Sequence, residues 1–376
     1  MATVTGAQTT TTVLSNQLAI DIGKRISLLE PDVQVLTVFS RAVNTEVTVA
    51  TKFKWVEDEA KARFDTTSAS ATNSAIEIGV VHGTFFQQWD QVINTRTGEQ
   101  MRVDSVSGNT LTVTRGIGST ATAMNEGDEL YIIGTAQPEN DVSKVARSKT
   151  PSLVENNTQI FRTPYEISGT AENVGYMVQP TEWNRLQQNA GIEHAKDIEL
   201  SLLFGRKSAT TPGSTEDRTT GGVLSFITSN QTDAGGTLSE AEFNAFMLQV
   251  MRYGTTDKLA ICSGAATSAL NKFPASKQIT KNDETTYGMV VTQYNSPFGS
   301  IKVVYHKLLE GQKYGGYMIV VDMQEVAYRP LTNRDTKILT NRQPNDQDGR
   351  KDELLSECGL RFGLQRTHGL ISGITG

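Results

Sequence analysis

Chemistry in this chain would have to come from a short roster of residues. Gly116-Ile117-Gly118-Ser119-Thr120-Ala121 fits the G-x-G-x-x-A spacing by which glycines bring backbone N–H groups against a pyrophosphate. It follows a strand pattern, but no helical pattern opens behind it and no βαβ unit surrounds it, so it reads as a β-turn. Gly205-Arg206-Lys207-Ser208 ends like a phosphate loop but lacks the leading glycine, and reads as a helix end running into a linker. The four histidines, His82, His194, His306 and His368, are isolated; none stands in H-x-x-x-H or H-E-x-x-H spacing, and no G-x-S-x-G elbow offers a nucleophile. His194, beside Glu193 on a helical stretch, reads as a surface or interface residue. Asp346-Gln347-Asp348-Gly349 hints at a calcium loop, but Pro344 and a leucine stand where the first and last ligands must be. The two cysteines, Cys262 and Cys358, are too few for a disulfide framework or a four-cysteine zinc site, and read as buried thiols. Asn156 and Asn230 match N-x-[ST], which carries no weight without a secretion route. The expectation is no catalytic, cofactor-binding or metal-binding residue, and no enzyme.

Composition agrees with that expectation. The 376 residues carry 35 Lys+Arg against 41 Asp+Glu, a net charge of −6, which argues against a basic nucleic-acid-binding domain. Only 37% of residues are apolar, so much of the chain must be polar surface or extended arms. The length implies two or three domains. No apolar run approaches a membrane span and no leader pattern opens the chain, which reads as made and kept in a cytosol-like compartment.

The elements that must position these residues follow in an unusual order. Residues 1–20 are Thr-rich, an extended arm rather than core. A short helix and an extended piece follow over 22–39, split by Pro31. Thr45 to Phe53 is β-like, and residues 54–73 form a charged outgoing arm with Glu57, Asp58 and Glu59. Five short strand patterns crowd into 75–133, with turn signals at Ser107-Gly108-Asn109 and Glu126-Gly127-Asp128, the density of a small barrel or sandwich. A basic returning arm with Lys144, Arg147 and Lys149 spans 135–162. Next comes a long helix whose apolar stripe drifts: Trp183, Leu186 and Ala190 share one face, and Ala195, Ile198 and Leu202 another, with Gly205 as the stop. Such a helix touches different neighbours at its two ends. Ser239-Glu240-Ala241-Glu242 is a capping box, with Leu238 and Phe243 placed as a staple. Strands and helices then mix without strict alternation, so the second half is α+β. Residues 331–351 read as a charged loop.

This order of parts resembles the major capsid protein of tailed phages, the Hong Kong 97-type coat fold. The most specific stretch runs from Ile167-Ser168-Gly169-Thr170-Ala171-Glu172-Asn173-Val174 into the helix Ile192 to Gly205, joined by Gly221-Gly222-Val223-Leu224-Ser225-Phe226-Ile227 and the last 55 or so residues. The resemblance covers about 315 residues, leaving out 74–134. It implies an N-terminal arm at 1–45, two sides of an E-loop at 46–73 and 135–166, an inserted β-barrel or sandwich module at 74–134, a spine helix and peripheral domain at 167–220, an axial domain at 221–327, and a peripheral return at 328–376 whose loop 331–351 lies near threefold contacts. About 45 residues precede the E-loop, too few for a scaffolding domain, so a separate scaffolding protein is implied.

By this resemblance the chain forms hexamers and pentamers of an icosahedral shell in the virion, assembled in the host cytoplasm. Its partners would be a portal protein, a decoration protein and packaged double-stranded DNA without sequence-specific contacts; no membrane is involved. Glu57, Asp58, Glu59, Lys144, Arg147, Lys149, Arg334, Arg342 and Arg350 are the candidate subunit contacts. The competing reading is a β-rich virion surface or adhesin protein whose module binds glycans.

Overall fold

The computed structural model describes residues 36–37, 41, 44–59, 62–139, 150–174, 182–210, 217–273, 278–279, 285–286, 289–290 and 292–375. Most of the N-terminal arm, Lys144, Arg147 and Lys149 of the returning arm, and the expected helix start at Pro180-Thr181 lie outside the described residues. The chain divides into two compact units, one of residues up to Trp55 and from Val154 onward, the other Val56–Leu153.

The smaller unit is a six-stranded sheet in the order Phe64–Thr66, Glu129–Thr135, Asp90–Asn94, Gln100–Ser107, Thr110–Thr114, Glu77–Gly79. A bridge between Thr67 and Val80, with hydrogen bonds from Ser68 N to Gly79 O and from Val81 N to Thr66 O, ties the two edge strands together and closes a barrel. Period-two alternation fills it: Leu130 and Ile132 face inward, Tyr131 and Ile133 outward. Ile78, Val80, Phe86, Val92, Met101, Val103, Leu111 and Val113 complete its core. The hairpin at Ser107–Thr110 turns on Gly108, whose φ of +57° suits the first position of a two-residue loop. Module limits of 74–134 leave out Phe64–Thr66, an edge strand paired with Glu129–Thr135. Three residues flanked by charge carry too little periodicity to show in a sequence.

The larger unit is built on two main sheets, with smaller two-stranded ladders beside them. A seven-stranded mixed sheet runs Gln231–Gly236, Gly369–Ile374, Met318–Val321, Asp257–Cys262, Gly299–Tyr305, Thr292–Ser296, Gln278–Ile279. Alternate residues of its central strands face two cores. Ala260, Cys262, Met318 and Val320 pack with Phe243, Phe246, Met247 and Val250 of the helix Glu240–Val250 and with Ala266 and Leu270 of the helix Gly264–Asn271. Leu259, Ile261, Ile319 and Val321 face Ile198, Leu202 and Leu203 of the long helix Glu182–Phe204. The capping box forms: Ser239 Oγ accepts from Glu242 N, and the Glu242 side chain accepts from Ser239 N. Each large side chain sealed in these cores contributes roughly 1.5–3 kcal/mol relative to exposure.

The second sheet is built on the 14-residue strand Gly349–Phe362, which pairs antiparallel with Gln159–Ser168, Val326–Pro330 and Lys337–Leu339. The long helix lies against it, and its drifting stripe meets two cores: Trp183, Leu186 and Ala190 pack on Tyr165 and Leu354, while Ile198, Leu202 and Leu203 enter the main core. At its C-terminus a Cβ on Gly205 would stand 2.3 Å from Ser201 O and 2.6 Å from Thr220 O, so only glycine lets the 220–222 backbone cross there. Two differences from the sequence reading stand out. The loop 331–351 contains the strand Lys337–Leu339, held by the ladder to 353–355. The C-terminal strand Gly369–Ile374, placed in the peripheral return, instead lies inside the seven-stranded sheet between Gln231–Gly236 and Met318–Val321. Sequence separation hides such an insertion, since local pattern says only that it is a strand.

Candidate assembly surface and its internal anchors

The residues singled out for chemistry do not converge. His194 is buried, which corrects the surface reading: its Nδ1 lies 2.9 Å from Thr163 Oγ1 and its Nε2 2.7 Å from Ser356 Oγ. It stands one turn from both Ala190 and Ile198 on the buried stripe, a helical spacing that could have revealed it. Burial pushes its pKa below the usual histidine range. His306 lies against Glu199, His368 takes Asp322 N–H on Nδ1, and His82 pairs with Asp65 in the barrel. Cys262 and Cys358 are free and buried; burial raises both thiols, that of Cys358 to about 12. Among the described residues no group of three or more His, Cys, Asp or Glu side chains could hold a metal ion. Among the described residues no helix is long and apolar enough to cross a membrane. Gly116 and Gly118 sit in a turn of the barrel with positive φ, not at a helix start. Asn156 is wholly buried, its amide donating to Thr220 Oγ1, Gly221 O and Leu360 O, so the glycosylation match is a structural knot.

Of the candidate subunit contacts, Asp58 and Glu59 are exposed and Glu57 half-buried at the end of the strand Lys52–Glu57. Two of the three arginines are engaged within the chain. Arg334 Nε donates to Glu357 Oε2 at 2.6 Å, and Arg350 lies 4.2 Å over the Trp183 ring with Asp352 at 3.2 Å. Arg342 is exposed. The ladder of Lys52–Glu57 with Ser152–Asn157 carries a charge pattern opposite to the one read along the arms: Glu155, on the returning strand, meets Lys52 at 2.8 Å, Lys207 at 3.1 Å and Lys54 at 3.8 Å. Hydrogen bonds from Lys52 and then Lys207 hold its carboxyl down at about 2.

Sequence reading passed over the residues that fasten the chain's beginning to the rest of the larger unit. Glu199, fully buried on the long helix, accepts from Leu36 N at 2.6 Å, from Thr37 N at 2.8 Å and from the Thr37 hydroxyl. Arg41 lies 4.4 Å over the Tyr328 ring and donates to its hydroxyl. Glu46 accepts from both Arg329 and Arg361, while Thr45 and Thr48 bridge in parallel to Tyr328 and Leu331. Glu357 gathers Arg334, Arg218 and Thr158. Nothing here presents a reacting atom; the charges tie segments together.

A model of the SU10 major capsid protein family matches residues 3–375, a span that runs through the inserted module left out of the sequence resemblance. A major capsid protein of Pseudomonas phage PaMx41 is 26% identical over 295 residues, covering 74% of this chain and 68% of that one. Among solved structures, the capsid of an empty GTA particle superposes with a TM-score of 0.51 at 9% identity, over 96% of this chain and 97% of that chain. Mycobacterium phage Bobi gives 0.50 at 10% identity, over 96% and 97%. With the family model spanning nearly every residue and the backbone following these capsid chains almost end to end, the chain belongs to the SU10 major capsid protein family, a phage major capsid protein of the Hong Kong 97-type fold.

Proposed function

We propose that this chain is the repeating unit of a closed icosahedral shell, formed as hexamers and pentamers in the virion, and that it catalyses no reaction of its own. The observation that carries this reading is the segment 44–50. Hydrogen bonds from Glu46 N and Thr48 N fix its backbone to Tyr328 and Pro330, yet Val47 is 60% and Val49 90% exposed. Side chains pinned in place and left in water by their own subunit are suited to a neighbour. Subunits joined by heterologous contacts close into rings, and rings into a shell.

In this reading the arms on either side of the barrel and the loop 331–351 meet neighbouring copies through Glu57, Asp58, Glu59, Arg342 and the basic residues Lys144, Arg147 and Lys149. A net charge of −6 suits a wall that encloses double-stranded DNA without gripping it, since tight phosphate contacts need clustered Lys and Arg. A separate scaffolding protein, a portal and a decoration protein complete the particle, which forms in the host cytoplasm. Co-expression with the scaffold and negative-stain microscopy test this. Megadalton closed particles are expected, and a compact monomer as the sole species at tens of micromolar would overturn the proposal.

A further inference from the structure

The segment 44–49 lies as a strand on one edge of the second sheet. Glu46 N donates to Tyr328 O, Tyr328 N to Asn44 O, Thr48 N to Pro330 O and Thr332 N to Thr48 O. These are the bonds of a parallel pairing, with bridges at Thr45–Tyr328 and Thr48–Leu331. They use the backbone groups of residues 44, 46 and 48 only. The N–H and C=O groups of Thr45, Val47 and Val49 therefore point away from the sheet, and among the described residues no backbone group meets them. Side chains follow the same period. Thr45, Val47 and Val49 are exposed, while Thr48 is buried and Glu46 reaches Arg329 and Arg361. All three exposed residues are β-branched, the type that suits a paired strand.

The other edges of the two main sheets are guarded. An open edge is a template for a further strand, and folded chains blunt it with proline, charge, bulges or brevity. Gln159–Ser168 carries Pro164, which has no N–H to offer a further strand. Lys337–Leu339 has three residues and opens on a lysine. In the seven-stranded sheet Gln278–Ile279 has two residues. Gln231–Gly236 is bulged between Asp233 and Gly236, with φ of +57° at Gly235 and +124° at Gly236. The segment 44–49 has none of these devices. It contains no proline and no glycine, and its one charged residue, Glu46, is held by two arginines.

We infer that the outward edge at Thr45, Val47 and Val49 is a strand-addition site, filled by an extended segment of a second copy of this chain. The inference rests on the shell reading and says how one of its contacts is made. The edge fixes the chemistry of its occupant: a backbone in extended form, with an N–H and a C=O to exchange at every second residue. A second copy suits it on charge. The subunit is acidic, yet Glu46 is already paired, so the edge presents no bare negative charge to another subunit of the same sign. A few ladder bonds per subunit are weak alone and add when every copy in a closed shell makes them.

Residue-resolved hydrogen exchange on the full-length chain, free and in assembled particles, tests the site. In the free subunit the Glu46 and Thr48 amides should be protected and the Thr45, Val47 and Val49 amides open. In particles those three should slow at least about tenfold. Particles in which they exchange as in the free subunit would overturn this inference and leave the shell reading standing; failure to form any particle would overturn both. Val47→Pro separates backbone from side chain, because it deletes one outward N–H and spares the bonds made by 46 and 48. Particle yield should fall at least about fivefold while the Thr48 amide stays protected in the subunit. Val47→Thr keeps the N–H and the β-branch and should assemble like the wild type. Wild-type yield from Val47→Pro, or an equal loss from Val47→Thr, would overturn strand addition. If Val47→Pro also opens the Thr48 amide, Val49→Pro decides: a fall in yield supports the site, and wild-type yield overturns it.

Discussion

The barrel and the larger unit are fastened by polar contacts of different reach. In the barrel the partners are near in sequence: Arg115 reaches Glu99 16 positions away, and Arg96 reaches Asp128 32 away. In the larger unit Glu199 meets Leu36 across 163 positions, Asn156 meets Leu360 across 204, and Arg361 meets Glu46 across 315. Short loops close at small entropic cost, and long ones only when much of the chain is already in place. The barrel can therefore fold from its own segment, whereas the larger unit waits for its last strand. Gly369–Ile374 is an interior member of the seven-stranded sheet, next to its edge strand Gln231–Gly236, so that sheet is incomplete until this strand is in place.

The sharpest way to break this contrast is truncation. A chain ending at Thr367 should lose the larger unit entirely, because Gln231–Gly236 and Met318–Val321 are left without the strand between them. The barrel should persist, with dispersed NMR signals from 90–135. Loss of those signals too would show that the units fold as one. A smaller effect is expected from Glu99→Ala, which strips a fully buried acid from Arg115, whose side chain is 7% exposed. Breaking such a pair costs on the order of 3–5 kcal/mol. Exchange protection should fall in the barrel and stay unchanged in 257–262.

Acid separates the units in a third way. His368 donates from Nε2 to Gly363 O and accepts Asp322 N–H on Nδ1, and burial pushes its pKa down to about 4. The unfolded chain takes up this proton below about pH 6.5, the folded chain only near pH 4. Stability of the larger unit is thus present above pH 6.5 and is lost as pH falls toward 4, on the order of 3 kcal/mol for this group. His194, also shifted down, adds in the same window. The barrel's Asp128 is shifted the other way relative to its charge: hydrogen bonds from Arg96 lead in holding its carboxyl far below the carboxylate range, and Glu99 is also lowered. Their contribution is present above the ordinary carboxylate range and is lost only as pH falls below it, toward their lowered folded values. Denaturant melts followed separately for each unit between pH 7 and 4 should show the larger unit weakening first, and His368→Gln should flatten much of that slope. Equal weakening of both units would refute the assignment.

What a sequence shows locally came through in the fold. The drifting stripe on 182–204, the capping box at Ser239 and the hairpin at Gly108 are each set by neighbours within a few residues. The anchors were illegible because their partners lie hundreds of residues away. Yet two left a trace. Glu199 stands one position after Ile198 and three before Leu202, and His194 lies on the stripe of Ala190 and Ile198, so both are polar residues at core spacing. Such a violation of pattern marks a buried polar knot. Charge on the arms is hard to read for the converse reason: counting signs along 54–73 and 135–162 says nothing of which strand faces which, and among the described residues the pairing sets Lys52 and Lys54 on the outgoing strand against Glu155 on the return.

That pairing gives the smallest effect and the finest test of where charge matters. The Glu155 side chain is 29% exposed and the three lysines around it 38–52%, so water and salt screen each attraction. Glu155→Lys gathers four cations at one place on a two-stranded ladder. If the ladder is held mainly by its backbone bonds and by Phe53 and Trp55 buried beneath it, the loss should be small. It should also be electrostatic. The melting temperature should drop by less than in any variant above, and the drop should shrink as ionic strength rises from low salt to about 1 M, where the Debye length falls to roughly 3 Å. A drop that ignores salt would mean that Glu155 acts through packing and that the ladder, like the anchors of the larger unit, depends on a specific fit. A salt-sensitive drop would place this site with the surface, the region left to answer to neighbouring copies.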